Sequence, residues 1–226
     1  MTATPPTSDA TPAALSDSSI QHPTSNLPIY PRARGWKQIV KPVAVRVISA
    51  CWVAWFKWRL GDRVQFGRNF ETNGRLVIQG PGRVVLGDNI KAWCHAEKNV
   101  LITYTPDSRI TVGSGTRLNG AGIMAYTQID IGPRCILGST IVFDSDFHPL
   151  DPAHRHDVDA PVSCAPIRIG DNVWLGGQSA VLKGVTVGEN AVVAFRAVAS
   201  SDVPPNVVVA GNPARIVKRF EEEVRS

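Results

Sequence analysis

The stretch that decides the fold is IGDNVWLGGQSAVLKGVTVGENAVVAFRAVASSDV, residues 169–203. An aliphatic or small residue recurs there at every sixth position: Ile169, Leu175, Val181, Val187, Val193 and Ala199. Four residues after each of these stands another small or β-branched residue: Val173, Ser179, Val185, Ala191, Ala197 and Val203. An earlier run has the same step, through Ala125, Ile131, Leu137 and Phe143.

A period of six residues predicts a chain that turns a corner after each short strand. Three such sides close one coil of a parallel β-helix, and the recurring residue points into its narrow core. Glycine beside that residue relieves crowding at the corner. Asp88-Asn89, Asp171-Asn172 and Glu189-Asn190 supply turn chemistry. A generic all-β domain with glycine-rich turns is the alternative, which the unbroken run of repeats disfavours. We therefore predict an all-β fold, with a parallel β-helix over residues 66–212.

The other segments differ from this domain in composition. Residues 1–35 are rich in Pro, Ser and Thr and predict a disordered tail, because they have too little apolar surface to offset the entropy of ordering. Residues 36–61 predict a basic, tryptophan-rich helix that ends at Gly61-Asp62. The register is lost over residues 144–168, which predicts a loop, and residues 213–226 predict a short C-terminal helix.

The charge of the chain is concentrated in one segment. The 226 residues carry a formal net charge of +5, but residues 31–68 hold nine of the 24 Lys and Arg and only one acidic residue. The rest of the chain is mildly acidic, which disfavours a folded domain that binds nucleic acid. Two interpretations of the helix in residues 36–60 stay open. It packs across the main domain or a neighbouring subunit, or it lies in a membrane interface with Trp at headgroup level and Lys and Arg toward anionic lipid.

Cysteine and histidine spacing argue against metal or disulfide scaffolds. The four cysteines lie far apart without a CxxC pair, which predicts reduced thiols in a cytoplasmic protein. The N-terminus lacks the pattern of a secretory signal. The longest uncharged apolar stretch, residues 47–56, is about half the length that spans a bilayer. The five histidines do not form the closely spaced pair of a β-helix zinc site, so we predict no metal.

Three motifs carry a family resemblance: DFHPLDP at residues 146–152, IGDNVWLGG at 169–177 and DVPPNVVVAGNPARIV at 202–217. With the hexads between them, residues 76–219 resemble the hexapeptide-repeat acyltransferases. Within that family they look most like the maltose and galactoside O-acetyltransferases and their relatives in polysaccharide biosynthesis. The resemblance implies a left-handed β-helix, a homotrimer and an acetyl-CoA site in the cleft between adjacent subunits.

Acetyl transfer to a hydroxyl needs a base, donors for the oxyanion, a cofactor groove and an acceptor pocket. His148 is the predicted base, because it lies where the hexad register breaks, imidazole suits proton transfer near neutral pH, and it matches the family's catalytic histidine. Asp146 shares its face in a strand-like segment, and would orient the imidazole or bind the acceptor. Asp144 is a weaker candidate for the same acceptor contact. Asn119 resembles the asparagine that the sugar O-acetyltransferases place in the acceptor site.

The predicted cofactor contacts come from the last coils. Gly176 and Gly177 let the cofactor approach the backbone, the Gly177 N–H can donate to the thioester oxygen, and Trp174 flanks the pantetheine arm or stabilises the corner. The following coil departs from the family pattern, with Phe195 in place of a small residue and Ser201 in place of lysine. Ser200 adjoins Ser201, and Arg196 could supply the positive charge that the family's lysine provides. By resemblance, Arg215 and Lys218 lie near the CoA phosphates.

These observations predict an acetyl-CoA-dependent O-acetyltransferase that acts on a sugar hydroxyl, with a surface polysaccharide or exopolysaccharide unit as the expected acceptor. Transfer would be direct, because no residue resembles an activated nucleophile. Two alternatives remain: a non-catalytic β-helix that binds partners, and an N-acyltransferase of an amino sugar.

Overall fold

The structure is a computed structural model that describes residues 37–94, 96–157 and 159–221, with side chains from residue 43 onward. The predicted tail over residues 1–35, His95 and the last five residues lie outside the described residues.

One helix precedes a series of short strands. Helix α1 runs Lys37–Leu60 and continues into a single 3-10 turn, Gly61–Arg63, which confirms the predicted helix. The strands are β1 Val64–Phe66, β2 Glu71–Thr72, β3 Leu76–Gln79, β4 Arg83–Leu86, β5 Lys91–Ala92, β6 Asn99–Thr103, β7 Arg109–Val112, β8 Arg117–Leu118, β9 Gly122–Ala125, β10 Gln128–Ile131, β11 Ile136–Leu137, β12 Ile141–Phe143, β13 Ile167–Ile169, β14 Trp174–Leu175, β15 Ala180–Val181, β16 Thr186–Val187, β17 Val192–Val193, β18 Val198–Ala199, β19 Val207–Ala210 and β20 Arg215–Arg219.

The strands form the three faces of a parallel β-helix. Sheet 1 contains β1, β4, β7, β10, β13 and β16; sheet 2 contains β2, β5, β8, β11, β14, β17, β19 and β20; sheet 3 contains β3, β6, β9, β12, β15 and β18. Every pairing between coils is parallel, and each coil contributes one strand to each sheet in turn. The fold is the left-handed β-helix expected for hexapeptide repeats. We call the turns from sheet 2 to sheet 3 the 2/3 corner, and those from sheet 3 to sheet 1 the 3/1 corner.

The recurring hexad residues form the core, as predicted. All twelve positions of the late run, from Ile169 to Val203, are buried. The earlier run differs at its last member: Val142, not Phe143, points inward and pairs with Val181. The turn after Leu137 is one residue shorter than the later turns at the same corner, which follow Leu175 and Val193, and the Thr140 N–H closes it by donating to the Gly138 carbonyl at 2.7 Å. A step of six residues from Leu137 therefore reaches Phe143, one position beyond the inward residue Val142.

The predicted turn residues occupy the left-handed region of the backbone. Asn89, Asn172 and Asn190 have φ of 57°, 55° and 57°. Asparagine tolerates this conformation better than other side chains that carry a Cβ. The Asn172 amide donates to Asn190 at 2.9 Å, and Asn190 donates to Asn206 at 2.9 Å. The turns therefore stack in register with the strands they join.

Helix α1 packs on the first coil of the β-helix. Phe56 is buried in the same core as the strands, and Trp52 and Leu60 pack beside it. The Ser49 hydroxyl accepts a hydrogen bond from the Thr72 N–H at 2.8 Å and donates to the Val45 carbonyl at 2.7 Å. One face of the helix therefore covers the N-terminal coil.

The predicted C-terminal helix is wrong. After β19 the chain reverses at Gly211, which has φ of 94°, and β20 pairs antiparallel with β19. The edge of β19 offers unpaired N–H and C=O groups, and a returning strand satisfies them. The described end of the chain is therefore an exposed strand.

We expect Gly132→Ala to destabilise the protein, because a Cβ there would lie 2.7 Å from the carbonyl carbon of Gly170 in the next coil. Overpacking of this kind costs about 1–3 kcal/mol, to be measured by urea unfolding. Gly122→Ala is the matched control, since its Cβ would find its nearest neighbour at 3.9 Å. An equal loss of unfolding free energy in the two variants would contradict the close stacking of the corners.

Candidate functional site

The loop that carries His148 leaves the β-helix through a closed neck. Ser145 and Cys164 form an antiparallel bridge. The Asp146 N–H donates to the Ser163 carbonyl at 3.0 Å, and the Ala165 N–H donates to the Asp144 carbonyl at 2.9 Å. The loop therefore starts and ends at fixed positions on the 3/1 corner.

Asp144 is a structural residue of this neck. Its buried carboxylate accepts hydrogen bonds from the N–H groups of Tyr126 at 2.7 Å, Thr127 at 2.7 Å and Gln128 at 2.9 Å, and from the Thr127 hydroxyl at 2.7 Å. These bonds hold the turn between β9 and β10. The predicted acceptor contact for Asp144 is wrong, because its oxygens are turned inward and already bonded.

Asp146 pairs with a lysine instead of with His148. Its carboxylate contacts the Lys183 ammonium at 2.5 Å, and the same ammonium donates to the Ser163 hydroxyl at 3.0 Å. Between Asp146 and His148, Phe147 has φ of 61°. This left-handed residue breaks the alternation of an extended strand, so the predicted common face of Asp146 and His148 is wrong. Asp146 anchors the neck of the loop.

His148 is exposed and lines an open cavity of about 540 Å³. The cavity lining also includes Tyr126, Phe147, Arg155 and His156. Within the described part of the chain, the imidazole has no hydrogen bond or ion pair. Both ring nitrogens are therefore available to a ligand.

The aromatic rings of Tyr126 and Phe147 line one wall of this cavity. Tyr104 and Tyr126, from successive coils, stack at 4.5 Å between ring centroids with 10° between the planes. Phe147 meets them edge-on at 5.7 and 6.0 Å. Burial raises the pKa of the Tyr126 phenol, with a further contribution from Tyr104. The phenol therefore stays protonated at neutral pH and is a hydrogen-bond donor.

The predicted cofactor glycines lie at the 2/3 corner. Gly176 is buried, and a Cβ there would lie 2.7 Å from the Phe195 backbone nitrogen. The Gly177 N–H has no acceptor among the described residues, while the Gly177 carbonyl accepts from the Arg196 N–H at 3.1 Å. Asn119 is exposed in the turn at the same corner, two coils earlier.

Phe195 and Arg196 stand beside Gly177. The Phe195 ring lies where a side chain on Gly177 would point, 3.5 Å from the position of its Cβ. The Arg196 guanidinium lies 5.1 Å from the centroid of this ring and donates to the Gln178 side chain at 2.7 Å. The exposed Phe195 ring therefore forms a wall beside Gly177, and the Arg196 guanidinium lies next to that ring.

The remaining predicted cofactor residues are spread over three places. Trp174 is exposed on the outer face of sheet 2. Ser200 and Ser201 are exposed at the 3/1 corner, after β18. Arg215 and Lys218 are exposed on β20, and the Lys218 ammonium lies 5.5 Å from the Phe220 ring centroid.

A single chain does not bring the predicted site together. His148 leaves from the 3/1 corner, whereas Asn119, Gly177 and Phe195 lie along the 2/3 corner. Sheet 3 lies between these two corners. The two groups of residues therefore occupy opposite edges of one face.

Sequence reasoning missed several residues around the candidate site. Lys183 lies within the hexad run, where the sequence gives it no functional role. Its ion pair with Asp146 joins residues 37 positions apart. Gln178 belongs to a groove of about 430 Å³ on sheet 3, with Glu97, Gly120 and Ile141. Hexad counting could have placed Lys183 at the corner beside the loop, but no local pattern indicates its partner.

Two further observations concern metals and membranes. No group of three or more potential metal ligands occurs among the described residues, and His95 lies outside them. Among the helices of the described ranges, none combines the length and hydropathy needed to cross a membrane.

Comparisons with known proteins agree with this architecture. Residues 166–194 match the family model "Hexapeptide repeat of succinyl-transferase". A candidate acetyltransferase of Staphylococcus aureus is 42% identical over 79 residues, which are 35% of this chain and 39% of that protein. The chain therefore spans well under two thirds of this relative's length.

Two solved structures share the fold. The hexapeptide-repeat acetyltransferase of Vibrio cholerae complexed with acetyl coenzyme A has a TM-score of 0.53 at 23% identity, and the match covers 82% of this chain and 92% of that one. A maltose O-acetyltransferase of Clostridium difficile has a TM-score of 0.50 at 24% identity, covering 82% and 91%. The fold and repeats thus define a hexapeptide-repeat β-helix. The predicted resemblance to the hexapeptide-repeat acetyltransferase family is confirmed.

We expect Lys183→Met to destabilise the neck of the loop, because the partly buried Asp146 carboxylate would lose its cation. Leaving such a group unpaired costs about 1–3 kcal/mol, to be measured by urea unfolding, and should speed proteolysis within residues 144–166. Lys91→Met is the matched control: it removes the exposed pair with Glu71 at 3.7 Å, worth at most about 1 kcal/mol. Proteolysis of the loop at the same rate in both variants would contradict the anchoring role.

Proposed function

We propose that this protein is an acyltransferase that moves an acetyl group from acetyl-CoA directly to a hydroxyl group of a sugar. The observation that carries the proposal is the His148 imidazole. It is exposed, has no partner in the described chain and is presented by an anchored loop over an aromatic-walled cavity. A base in this setting can meet an incoming hydroxyl without first breaking a bond to the protein.

The proposed reaction is a single transfer in a ternary complex. The His148 imidazole takes the proton of the acceptor hydroxyl while that oxygen attacks the thioester carbonyl carbon. The tetrahedral oxyanion accepts a hydrogen bond from the Gly177 N–H. The carbon–sulfur bond then breaks, the CoA sulfur leaves with the proton held by His148, and the acetyl group remains as an ester on the acceptor.

The residues at the 2/3 corner fit acetyl-CoA in their chemistry. Gly177 offers an uncommitted donor on a backbone without a side chain, and the exposed Phe195 ring offers an apolar wall for the pantetheine arm. Arg196, Arg215 and Lys218 are exposed cations suited to phosphate groups. Phe195 covers one side of Gly177, so we propose that the arm lies along the exposed face of the Phe195 ring.

A sugar acceptor suits the cavity beside His148. Aromatic faces pack against the apolar faces of sugar rings, while Tyr126, Arg155 and Asp157 supply polar partners at its rim. Similarity to a maltose O-acetyltransferase supports the same class. Because the cavity is open, a polysaccharide unit can enter by one end, and we expect such an acceptor in a cytoplasmic setting.

The proposed site requires assembly into a homotrimer. The 3/1 corner of one copy, with His148, would face the 2/3 corner of the next, with Asn119 and Gly177. The outer face of sheet 3 supports such contacts, since its outward residues are almost all apolar: Val77, Val100, Ile102, Met124, Ile141, Phe143, Ala180 and Val198. The outer face of sheet 1 is mostly polar: Gln65, Arg83, Val85, Arg109, Thr111, Gln128, Asp130, Arg168 and Thr186.

We expect His148→Ala to lower the rate of acetyl transfer about 10²–10⁴-fold, the contribution of a positioned general base, with CoA binding retained. Thiol release, screened over sugars and polysaccharide units, measures the rate, and calorimetry measures binding. His154→Ala, in the same loop, is the matched control and should keep most activity. Near wild-type transfer by His148→Ala would refute the mechanism, and no CoA binding by the wild type would favour the non-catalytic alternative.

We expect Ile141→Glu to break the trimer, because it places charges on the apolar outer face of sheet 3. Light scattering should then report a mass near the 24.4 kDa of one chain instead of three times that value. Val85→Glu, an outward position on sheet 1, is the matched control and should stay trimeric. A wild-type protein that is monomeric at working concentration would refute the assembly.

A further inference from the structure

Helix α1 has a second apolar face that the β-helix does not cover. Its inner face, with Ser49 and Phe56, is buried. At about 100° per residue, Val43, Val47, Cys51 and Trp58 lie on the opposite side. There Trp58 is 83% exposed and Val47 is 58% exposed. The helix is therefore apolar on both sides, whereas a helix that only packs on a domain exposes a polar face.

Unpaired cations border this outer face. Arg46 and Lys57 lie along one edge and Arg59 along the other, by the same angular spacing. Arg59 lies 5.2 Å from the Trp55 ring centroid. The helix contains no acidic residue, and within the described chain none of these three cations has an ion-pair partner.

We propose that the outer face of α1 lies in the interface of an anionic membrane. Its apolar residues would enter the boundary between headgroups and acyl chains, to a depth of about 5–10 Å. Trp55 and Trp58 would occupy the headgroup level, where amphipathic rings are favoured. The cations on both edges would meet lipid phosphates. The helix lies in the surface, consistent with the finding that it cannot cross.

The charge of helix α1 favours lipid over a second copy of the chain. Two copies joined through this face would bring together two helices that carry only positive charges, and the repulsion would oppose the contact. The inference does not depend on acyl transfer, since it concerns binding alone.

The experiment is co-sedimentation of the full-length protein with vesicles. We expect binding to vesicles of phosphatidylcholine containing a third phosphatidylglycerol, and at least tenfold weaker binding to pure phosphatidylcholine. Raising the salt from about 0.1 M to about 1 M shortens the Debye length from about 10 Å to about 3 Å, and should release most of the protein. Equal binding to both vesicles, or none, would overturn the proposal without any variant.

Two matched pairs of variants locate the contact. Val47→Asp should abolish vesicle binding, whereas Val217→Asp, at a valine that is 64% exposed on β20, should not. The double change Arg46→Gln and Lys57→Gln should weaken binding about fivefold per charge, the equivalent of about 1 kcal/mol per basic residue. The double change Arg83→Gln and Arg168→Gln on sheet 1 removes the same charge and should have a smaller effect.

The melting temperature and the mass in solution are measured on the same samples as vesicle binding. The melting temperature of Val47→Asp should equal that of the wild type, because Val47 is exposed on the outer face of the helix. Unchanged vesicle binding by Val47→Asp would overturn the proposal. A change of mass in solution with vesicle binding retained would assign the face to a protein contact and would overturn it as well.

Discussion

Everything on the outside of this molecule depends on how the coils stack inside it. Successive parallel strands lie about 4.8 Å apart, so each coil must repeat the path of the one below. The inward positions accept only side chains that fill a narrow prism. The glycines at the corners remove atoms that would collide with the next coil, as between Gly176 and Phe195. Regular stacking then aligns residues that are distant in sequence into columns, and the 2/3 corner is one of these.

The stacking also limits where chemistry can be placed. A loop can leave the β-helix only where the register is restored on its return. Here the turn that precedes the last strand before the loop is one residue shorter than the later turns at that corner, and the loop is closed by Asp144, Asp146 and Lys183. The carboxylates that the sequence analysis assigned to the catalytic base and the acceptor, Asp146 and Asp144, instead hold the neck. Their effect on His148 is to fix the position from which it faces outward.

Local periodicity explains which features the sequence could predict. The inward residues, the Asn turns and helix α1 all follow from patterns within a few residues. The exceptions depend on contacts or geometry that no local count reveals. Val142 replaces Phe143 because one turn is shorter, and Phe147 in a left-handed conformation separates Asp146 from His148. The strand β20 forms because β19 leaves an edge to be paired, and Lys183 reaches across 37 positions. That His148 and the residues of the 2/3 corner form one active site stays a prediction.

The arrangement of the two corners links assembly to the proposed chemistry. His148 and Gly177 lie at opposite edges of sheet 3, and the stacking that fixes both also prevents a rigid chain from closing that separation. A second copy would supply the missing edge, and the apolar outer residues of sheet 3 would supply the energy of contact. Helix α1 packs on the N-terminal coil through its inner face, which contacts Thr72 of sheet 2, so its cationic apolar face is no part of the outer face of sheet 3. Assembly and membrane contact would therefore use separate surfaces, and neither would compete with the other.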